Sequence, residues 1–137
     1  MPTMSTAISV TAGRLPADLA AIPAADIALL GGGRVAEVDC GEGATTLAVA
    51  LAYPEALVDG FEPDPDALAA ARARARTARV TGRVSFRPVD AASARPADLP
   101  AYDVVIAPVH RRDVAERLVG QGGIILLRDD HTEVRAA

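Results

Sequence analysis

Residues 35–46 read Val-Ala-Glu-Val-Asp-Cys-Gly-Glu-Gly-Ala-Thr-Thr. The apolar beginning predicts a short strand and the end predicts the start of a helix, with Gly41 and Gly43 in the turn between them. Glycines in such a turn let the backbone approach a bound molecule without a clash from a side-chain Cβ. The stretch therefore predicts a strand–turn–helix unit with a ligand at the carboxyl end of the strand.

Short apolar runs rich in β-forming residues surround this unit. They cover 34–39, 57–61, 84–89, 102–107 and 123–128. Helical patterns lie between most of them, at 45–53, at 64–79 and at 112–119, the last ended by Gly120 and Gly122-Gly123. Strands that alternate with helices join through right-handed crossovers into a mostly parallel sheet with helices on both faces. We therefore predict a doubly wound α/β fold.

The strand order follows from one proline. Pro88 lies in the third run, and proline cannot donate a hydrogen bond to a neighbouring strand, so it favours a sheet edge. This position agrees with the order 3-2-1-4-5, in which the third strand is an edge.

The chain before residue 33 has a different character. Residues 1–13 are small and polar without a sustained period and predict a loose leader, whereas 15–30 predicts short helices broken at Pro23. We divide the chain into a leader with short helices (1–32), a core (33–130) and a tail (131–137).

Composition excludes several classes of protein. The 137 residues suit one domain. The net charge of −4 disfavours generic binding to nucleic acid, which depends on cationic side chains. A single cysteine, Cys40, forbids an internal disulfide, predicts no metal site and favours a cytoplasmic location. No apolar stretch is long enough to span a membrane.

Acidic residues stand near the ends of three predicted strands. Glu37 lies in the first strand, Glu62 follows the second, 21 residues beyond Gly41, and Asp90 follows the third. A carboxylate at the spacing of Glu62 can reach the hydroxyls of a ribose. The three acids together predict a nucleotide-like ligand. The alternative is that they cap the following helices or face solvent.

The runs VAEVDCGEGATT, FEPDPDAL, RVSFRPVDAAS, YDVVIAP and GQGGIILLRD, in this order and spacing, resemble the core of class I S-adenosylmethionine-dependent methyltransferases. More loosely, the sequence is similar to bacterial methyltransferases whose core follows a winged-helix domain. The resemblance covers about residues 33–130 and implies the Rossmann-like methyltransferase fold with S-adenosylmethionine as cofactor.

The resemblance also implies roles for individual residues. Glu37 would contact the methionine ammonium, and Gly41 and Gly43 would let the methionine part approach. Glu62 would hold the ribose hydroxyls. Asp90, with Ala91 beside it, would meet the adenine amino group.

Asp39 departs from the family pattern. The family motif usually reads acid-x-Gly-x-Gly-x-Gly, and Asp39 stands at the first glycine. Its carboxylate could pair with the ammonium or sulfonium of the cofactor, or repel the carboxylate of the same ligand. We include Asp39 among the predicted cofactor-binding residues.

The resemblance further implies a shortened sheet. The family usually adds a sixth strand and an antiparallel seventh, for which no segment follows the fifth run. Residues 123–127 would then form an unprotected edge that needs a cover. The N-terminal segment, the tail or a second chain could supply it, and we predict a homodimer through this edge.

The predicted activity is methyl transfer to a small molecule, since no motif specific for another acceptor is visible. His110, after the fourth strand, is the candidate that could orient or deprotonate the acceptor. The alternative function is a non-catalytic methyltransferase-like domain for ligand sensing or protein association. A dinucleotide site is a weaker alternative, because Thr46 stands where its fingerprint needs Gly or Ala.

Overall fold

A computed structural model describes residues 6–10 and 15–129. Their strands form one six-stranded sheet in the order β1-β6-β5-β2-β3-β4, and every neighbouring pair is parallel. The strands are β1 (Thr6–Val10), β2 (Arg34–Val38), β3 (Leu57–Phe61), β4 (Val84–Arg87), β5 (Tyr102–Pro108) and β6 (Val119–Arg128). The predicted tail, 131–137, lies outside the described residues.

Helices cover both faces of this sheet, which confirms the doubly wound α/β prediction. They are α1 (Leu15–Ala20), α2 (Pro23–Leu30), α3 (Ala44–Ala52), α4 (Pro65–Ala78) and α5 (Arg112–Leu118). Buried residues of α1 to α4 share one apolar core with one sheet face. Buried residues of α5 and of the 3-10 turn Ala91–Ser93 share a second core with the other face.

The sequence determines α4 most clearly. The Asp64 side chain accepts a hydrogen bond from the Asp66 backbone N–H at 3.2 Å, and Pro65 occupies the first turn. Apolar residues three or four apart then face the first core, while the arginines of this helix are exposed. The buried residues are Leu68, Ala71 and Ala75.

The predicted order of the five runs is confirmed, with the third run, β4, at an edge. This strand ends at Arg87, two residues earlier than predicted. Pro88 follows it directly and has no N–H to continue the ladder.

The loose leader predicted for residues 1–13 is wrong over Thr6–Val10. These residues form β1, which pairs in parallel with Ile124–Arg128 of β6. Ile8 packs against the first core and Ala7 against the second, so the strand is held from both faces. The sheet therefore has a sixth strand, supplied from the N-terminal side.

This pairing also corrects the edge predicted at residues 123–127. β1 occupies that side of β6, so the backbone groups there are paired within the chain. The premise of the predicted homodimer, an unprotected edge on β6, is wrong.

The glycines that predicted a break after the last helix lie inside β6, which begins at Val119. A Cβ on Gly123 would stand 2.6 Å from Val119 Cγ2 and 3.0 Å from the Asp103 carbonyl oxygen. Glycine is needed here because the strand packs too closely for a side chain, at a place where its register against β5 shifts.

No helix within residues 6–10 and 15–129 combines the length and the apolar character that a membrane crossing requires.

Candidate functional site

The turn after β2 makes its reversal through left-handed backbone. Asp39, Gly41 and Gly43 have φ angles of 55°, 58° and 84°. The Gly43 N–H donates to the Cys40 carbonyl at 3.0 Å, and α3 begins at the next residue. The turn therefore ends with the N-terminus of a helix directed to the carboxyl edge of the sheet, as predicted.

The two glycines of the turn serve different purposes. A Cβ on Gly43 would stand 2.9 Å from Phe86 Cζ and 3.1 Å from Ala71 Cβ, so this glycine is required for packing. A Cβ on Gly41 would meet no atom within 4 Å. Gly41 therefore faces open space, where a ligand can approach the backbone.

Glu62 joins the end of β3 to this turn. Its Oε1 accepts from the Gly41 N–H at 2.8 Å and its Oε2 from the Asp64 N–H at 3.1 Å. An ionised carboxylate offers about four acceptor positions, so two backbone donors leave capacity for further ones. The two predicted residues Gly41 and Glu62 are thus in direct contact.

Glu37 lies inside the protein with a relative exposure of 1%. The Thr46 hydroxyl donates to its Oε1 at 2.5 Å, and Arg128 Nη1 lies 3.5 Å from its Oε2. Arg128 Nη2 also donates to the Val38 carbonyl at 3.0 Å. A buried carboxylate is costly unless it is paired and hydrogen-bonded, and Arg128 and Thr46 meet that requirement.

Asp39 and Asp90 are linked through Arg111. Arg111 Nη1 lies 3.2 Å from Asp39 Oδ2, and its Nη2 lies 2.5 Å from Asp90 Oδ1. The hydrogen bond from the Ala92 N–H, followed by the one from Arg111, lowers the pKa of Asp90. The hydrogen bond to Asp90 raises the pKa of Arg111 in return. These three side chains form one charged cluster at the carboxyl edge.

The other predicted residues are placed as follows. Ala91 is buried in the second core, at the start of the 3-10 turn that follows Asp90. His110 is exposed in the 3-10 turn Val109–Arg111, beside Arg111 in sequence. Within residues 6–10 and 15–129, no three His, Cys, Asp or Glu side chains are grouped so that they could hold a metal ion.

Cys40 lies beneath this turn with a relative exposure of 7%. Burial, followed by the charges of Glu37 and Glu62, raises the pKa of its thiol to about 12. The thiolate is the reactive form of cysteine, so this thiol is unreactive near neutral pH. Cys40 is therefore a buried small residue of the core.

Sequence reasoning missed three polar residues of this edge: Thr46, Arg111 and Arg128. The predicted site contains the acids near the strand ends but none of the bases at equivalent positions. Arg111 follows β5 and Arg128 ends β6, so both occupy the same kind of position as the predicted acids. That position is the signal that could have identified them.

A family model described as a methyltransferase domain matches residues 35–120. No curated protein matches the sequence. The crystal structure of the [4+2]-cyclase SpnF is similar with a TM-score of 0.64 and 29% identity, over 82% of this chain and 43% of that chain.

Two methyltransferase structures are similar at lower identity. The SAM-dependent methyltransferase from Geobacter sulfurreducens, in complex with S-adenosyl-L-homocysteine, has a TM-score of 0.64 and 21% identity, over 85% of this chain and 48% of that chain. Coclaurine N-methyltransferase, bound to N-methylheliamine and SAH, has a TM-score of 0.60 and 20% identity, over 74% and 35%.

This chain spans less than half the length of each of these three proteins. The matching family model covers more than half of the sequence and includes the glycine turn, Glu62, Asp90 and Arg111. The chain therefore belongs to the methyltransferase domain family and has a class I methyltransferase core.

Proposed function

We propose that this protein is an S-adenosylmethionine-dependent methyltransferase that acts on a small molecule. The observation that carries the proposal is the hydrogen bond of 2.8 Å between the Gly41 N–H and Glu62 Oε1. It joins a glycine turn that is open toward solvent to a carboxylate that can accept further hydrogen bonds. Membership of the methyltransferase domain family supports the same assignment.

The residues of the edge fit the chemical groups of this cofactor. Glu62 can accept hydrogen bonds from the two ribose hydroxyls while it holds the Gly41 turn. Asp90, with Ala91 beside it, is proposed to accept from the adenine amino group. Glu37 is nearly inaccessible and its carboxylate is paired with Arg128, so its proposed role is to hold Thr46, in the first turn of α3, beneath the place where the methionine part would approach.

S-adenosylmethionine, when bound, supplies a methyl group that is already activated as a sulfonium. The protein therefore needs chiefly to align the acceptor and exclude competing geometries. His110 is exposed on the turn after β5, at the same sheet edge. We propose that its imidazole orients the acceptor or takes a proton from it.

A small acceptor agrees with the charge of the chain. The net charge is −4, which opposes sequence-independent attraction to phosphate backbones. Two of the arginines near this edge are already paired with acids: Arg74 with Glu42, and Arg111 with Asp39 and Asp90.

The second candidate is a non-catalytic domain for ligand sensing or protein association. One observation favours it. Arg111 and Arg128 already neutralise carboxylates of the edge. Of the three similar structures described above, the one with the highest identity is that of a [4+2]-cyclase, so this fold also carries chemistry other than methyl transfer.

Calorimetry with S-adenosylmethionine and S-adenosylhomocysteine tests the cofactor. Binding by the wild type should weaken in Glu62→Gln by about 1.5–3 kcal/mol, because charge-assisted hydrogen bonds are lost. Glu55→Gln is the matched control: Glu55 is exposed before β3, at the opposite end of that strand. The affinity of the Glu55→Gln variant for both S-adenosyl ligands should equal that of the wild type.

Absence of binding heat at millimolar ligand would refute the cofactor assignment. Release of S-adenosylhomocysteine in the presence of a panel of small amines, phenols and thiols tests catalysis. Binding without release across that panel would favour the sensing domain over the enzyme.

A further inference from the structure

Asp39 combines two features that are each unfavourable at a ligand-facing turn. Its φ of 55° lies in the left-handed region, which most L-residues avoid and which aspartate, like asparagine, adopts at a cost relative to glycine. Its side chain also carries a charge and is 31% exposed. A strained residue at a candidate site is an observation from which a functional role can be inferred.

Arg111 supplies the opposite charge for Asp39. Its guanidinium contacts both Asp39 Oδ1 and Oδ2, at 3.4 and 3.2 Å, through the same nitrogen. The other terminal nitrogen binds Asp90, and the Arg111 side chain is only 19% exposed. Arg111 therefore spans from the turn after β2 to the end of β4, across the edge on which the proposed ligand lies.

The cluster of Asp39, Asp90 and Arg111 carries two negative charges and one positive charge. S-adenosylmethionine and S-adenosylhomocysteine differ mainly in one methyl group and one positive charge on sulfur. A charge within one Debye length of the ligand, in the reduced dielectric of a protein surface, changes the affinities of these two molecules by different factors. The net charge of the cluster should therefore control which of them binds more tightly.

We propose that the Asp39–Arg111 pair determines the preference of this site between cationic and neutral S-adenosyl ligands. Arg111 offsets the negative charge that Asp39 introduces. The site therefore does not bind the cationic S-adenosylmethionine much more tightly than the neutral-sulfur S-adenosylhomocysteine. This inference rests on the proposed function, because it needs an S-adenosyl ligand at this edge.

The test measures the ratio of the two dissociation constants, Kd for S-adenosylhomocysteine divided by Kd for S-adenosylmethionine, by calorimetry at low salt. Arg111→Met makes the cluster more negative and should raise this ratio roughly fivefold. Asp39→Asn makes it more positive and should lower the ratio by a similar factor. The double variant restores the wild-type cluster charge and should return the ratio to the wild-type value.

Two controls separate cluster charge from total charge and from structure. Arg76→Met changes the net charge of the protein as Arg111→Met does, but Arg76 is exposed near the C-terminal end of α4, about three turns from the carboxyl edge at which this helix begins. The ratio of the two dissociation constants should change far less in Arg76→Met than in Arg111→Met. Arg111→Lys keeps the charge and should also retain the wild-type ratio. The differences should shrink when salt is added, because screening weakens them.

The outcomes separate this inference from the proposed function. If the ligands bind and the ratio stays constant across Arg111→Met, Asp39→Asn and the double variant, the inference is overturned and the cofactor assignment stands. If neither ligand binds to the wild type or to any variant, the proposed function fails and the inference fails with it. Should Arg111→Met unfold, Asp39→Asn alone still decides, because asparagine tolerates the left-handed backbone.

Discussion

The two halves of the sheet contribute opposite charges to the candidate site. Strands β2, β3 and β4 lead to carboxylates, whereas β5 and β6 lead to Arg111 and Arg128. Each arginine crosses to an acid of the other half: Arg111 to Asp39 and Asp90, and Arg128 to Glu37. The difference teaches that the charge of this edge is a property of the whole sheet, although the ligand-binding motifs lie in one half.

A change in the acidic half of the sheet, which consists of β2, β3 and β4, should have the largest effect on stability. Gly43→Ala places a Cβ 2.9 Å from Phe86 Cζ at a residue with φ of 84°. Steric overlap and backbone strain together should lower the free energy of unfolding by about 2–4 kcal/mol, measured by urea denaturation.

Gly41→Ala is the control for that measurement. Its φ is also positive, but its added Cβ meets no atom within 4 Å, so only the strain remains. The expected loss is about 1 kcal/mol. Equal losses for the two variants would contradict the separate roles of the two glycines, one in packing and one in ligand access.

In the basic half of the sheet, which contains β5 and β6, the contribution of β1 to stability can be tested, because β1 pairs with β6. Ile8→Lys puts a charge on a partly buried side chain that packs against the first core. The free energy of unfolding should fall by about 1–3 kcal/mol, and β6 should become available for self-association, measured by light scattering.

Leu51→Lys provides the comparison, because Leu51 is 57% exposed on α3. A surface substitution of this kind should change stability by less than about 0.5 kcal/mol. If Ile8→Lys changed the free energy of unfolding as little as Leu51→Lys does, β1 would contribute little to the stability of the sheet.

The smallest effect on stability is expected at the ion pair between Asp90 and Arg111, which joins the two halves of the sheet. Asp90→Asn keeps a side chain that can cap the 3-10 turn but removes the charge that pairs with Arg111. The Asp90 side chain is 43% exposed, so the loss of stability near pH 7 should be less than about 1 kcal/mol.

The pH dependence of this loss has a definite sign. The pKa of Asp90 is lowered in the folded protein from its ordinary value of 3.8. Its contribution is therefore present above pH 3.8 and disappears as the pH falls through the lowered pKa. Thermal unfolding should show wild type and Asp90→Asn converging at acid pH. A stability difference that stayed constant with pH would contradict the role of the ion pair between Asp90 and Arg111.

Asp98→Asn is the control, because Asp98 lies in an exposed ion pair with Arg95.

The sequence could predict most of the fold because its signals are local. Each of the five runs lies between turn residues, and Pro88 marks an edge. β1 was missed because Thr6–Val10 is short and its partner, β6, lies at the other end of the described chain. The beginning of β6 was missed because Gly120 and Gly122-Gly123 resemble a turn, whereas the structure uses Gly123 for close packing.

The candidate site also has one part that the sequence could predict and one part that it could not. That Gly41 and Glu62 lie at one sheet edge could be predicted, because both positions follow from one strand–turn–helix unit and the next strand; their hydrogen bond to each other is an addition from the structure. The partners of Arg111 and Arg128 could not be predicted: the strand order brings both arginines to the edge that carries the acids, but which acid each side chain reaches depends on side-chain conformation, for which the sequence has no local signal. Glu37 lies in a buried strand, and its burial is compensated by Arg128 and Thr46, which come from two other elements and share no local sequence signal with it.

The pairing of β1 with β6 has a consequence for how the chain folds during synthesis. β2, β3 and β4 are neighbours in sequence and in the sheet, so they can begin to assemble as soon as they leave the ribosome. β1 emerges before them but has to wait for β6, whose residues are translated last among the described elements. Closing so long a loop is entropically slow, so we expect docking of β1 to be the late step of folding.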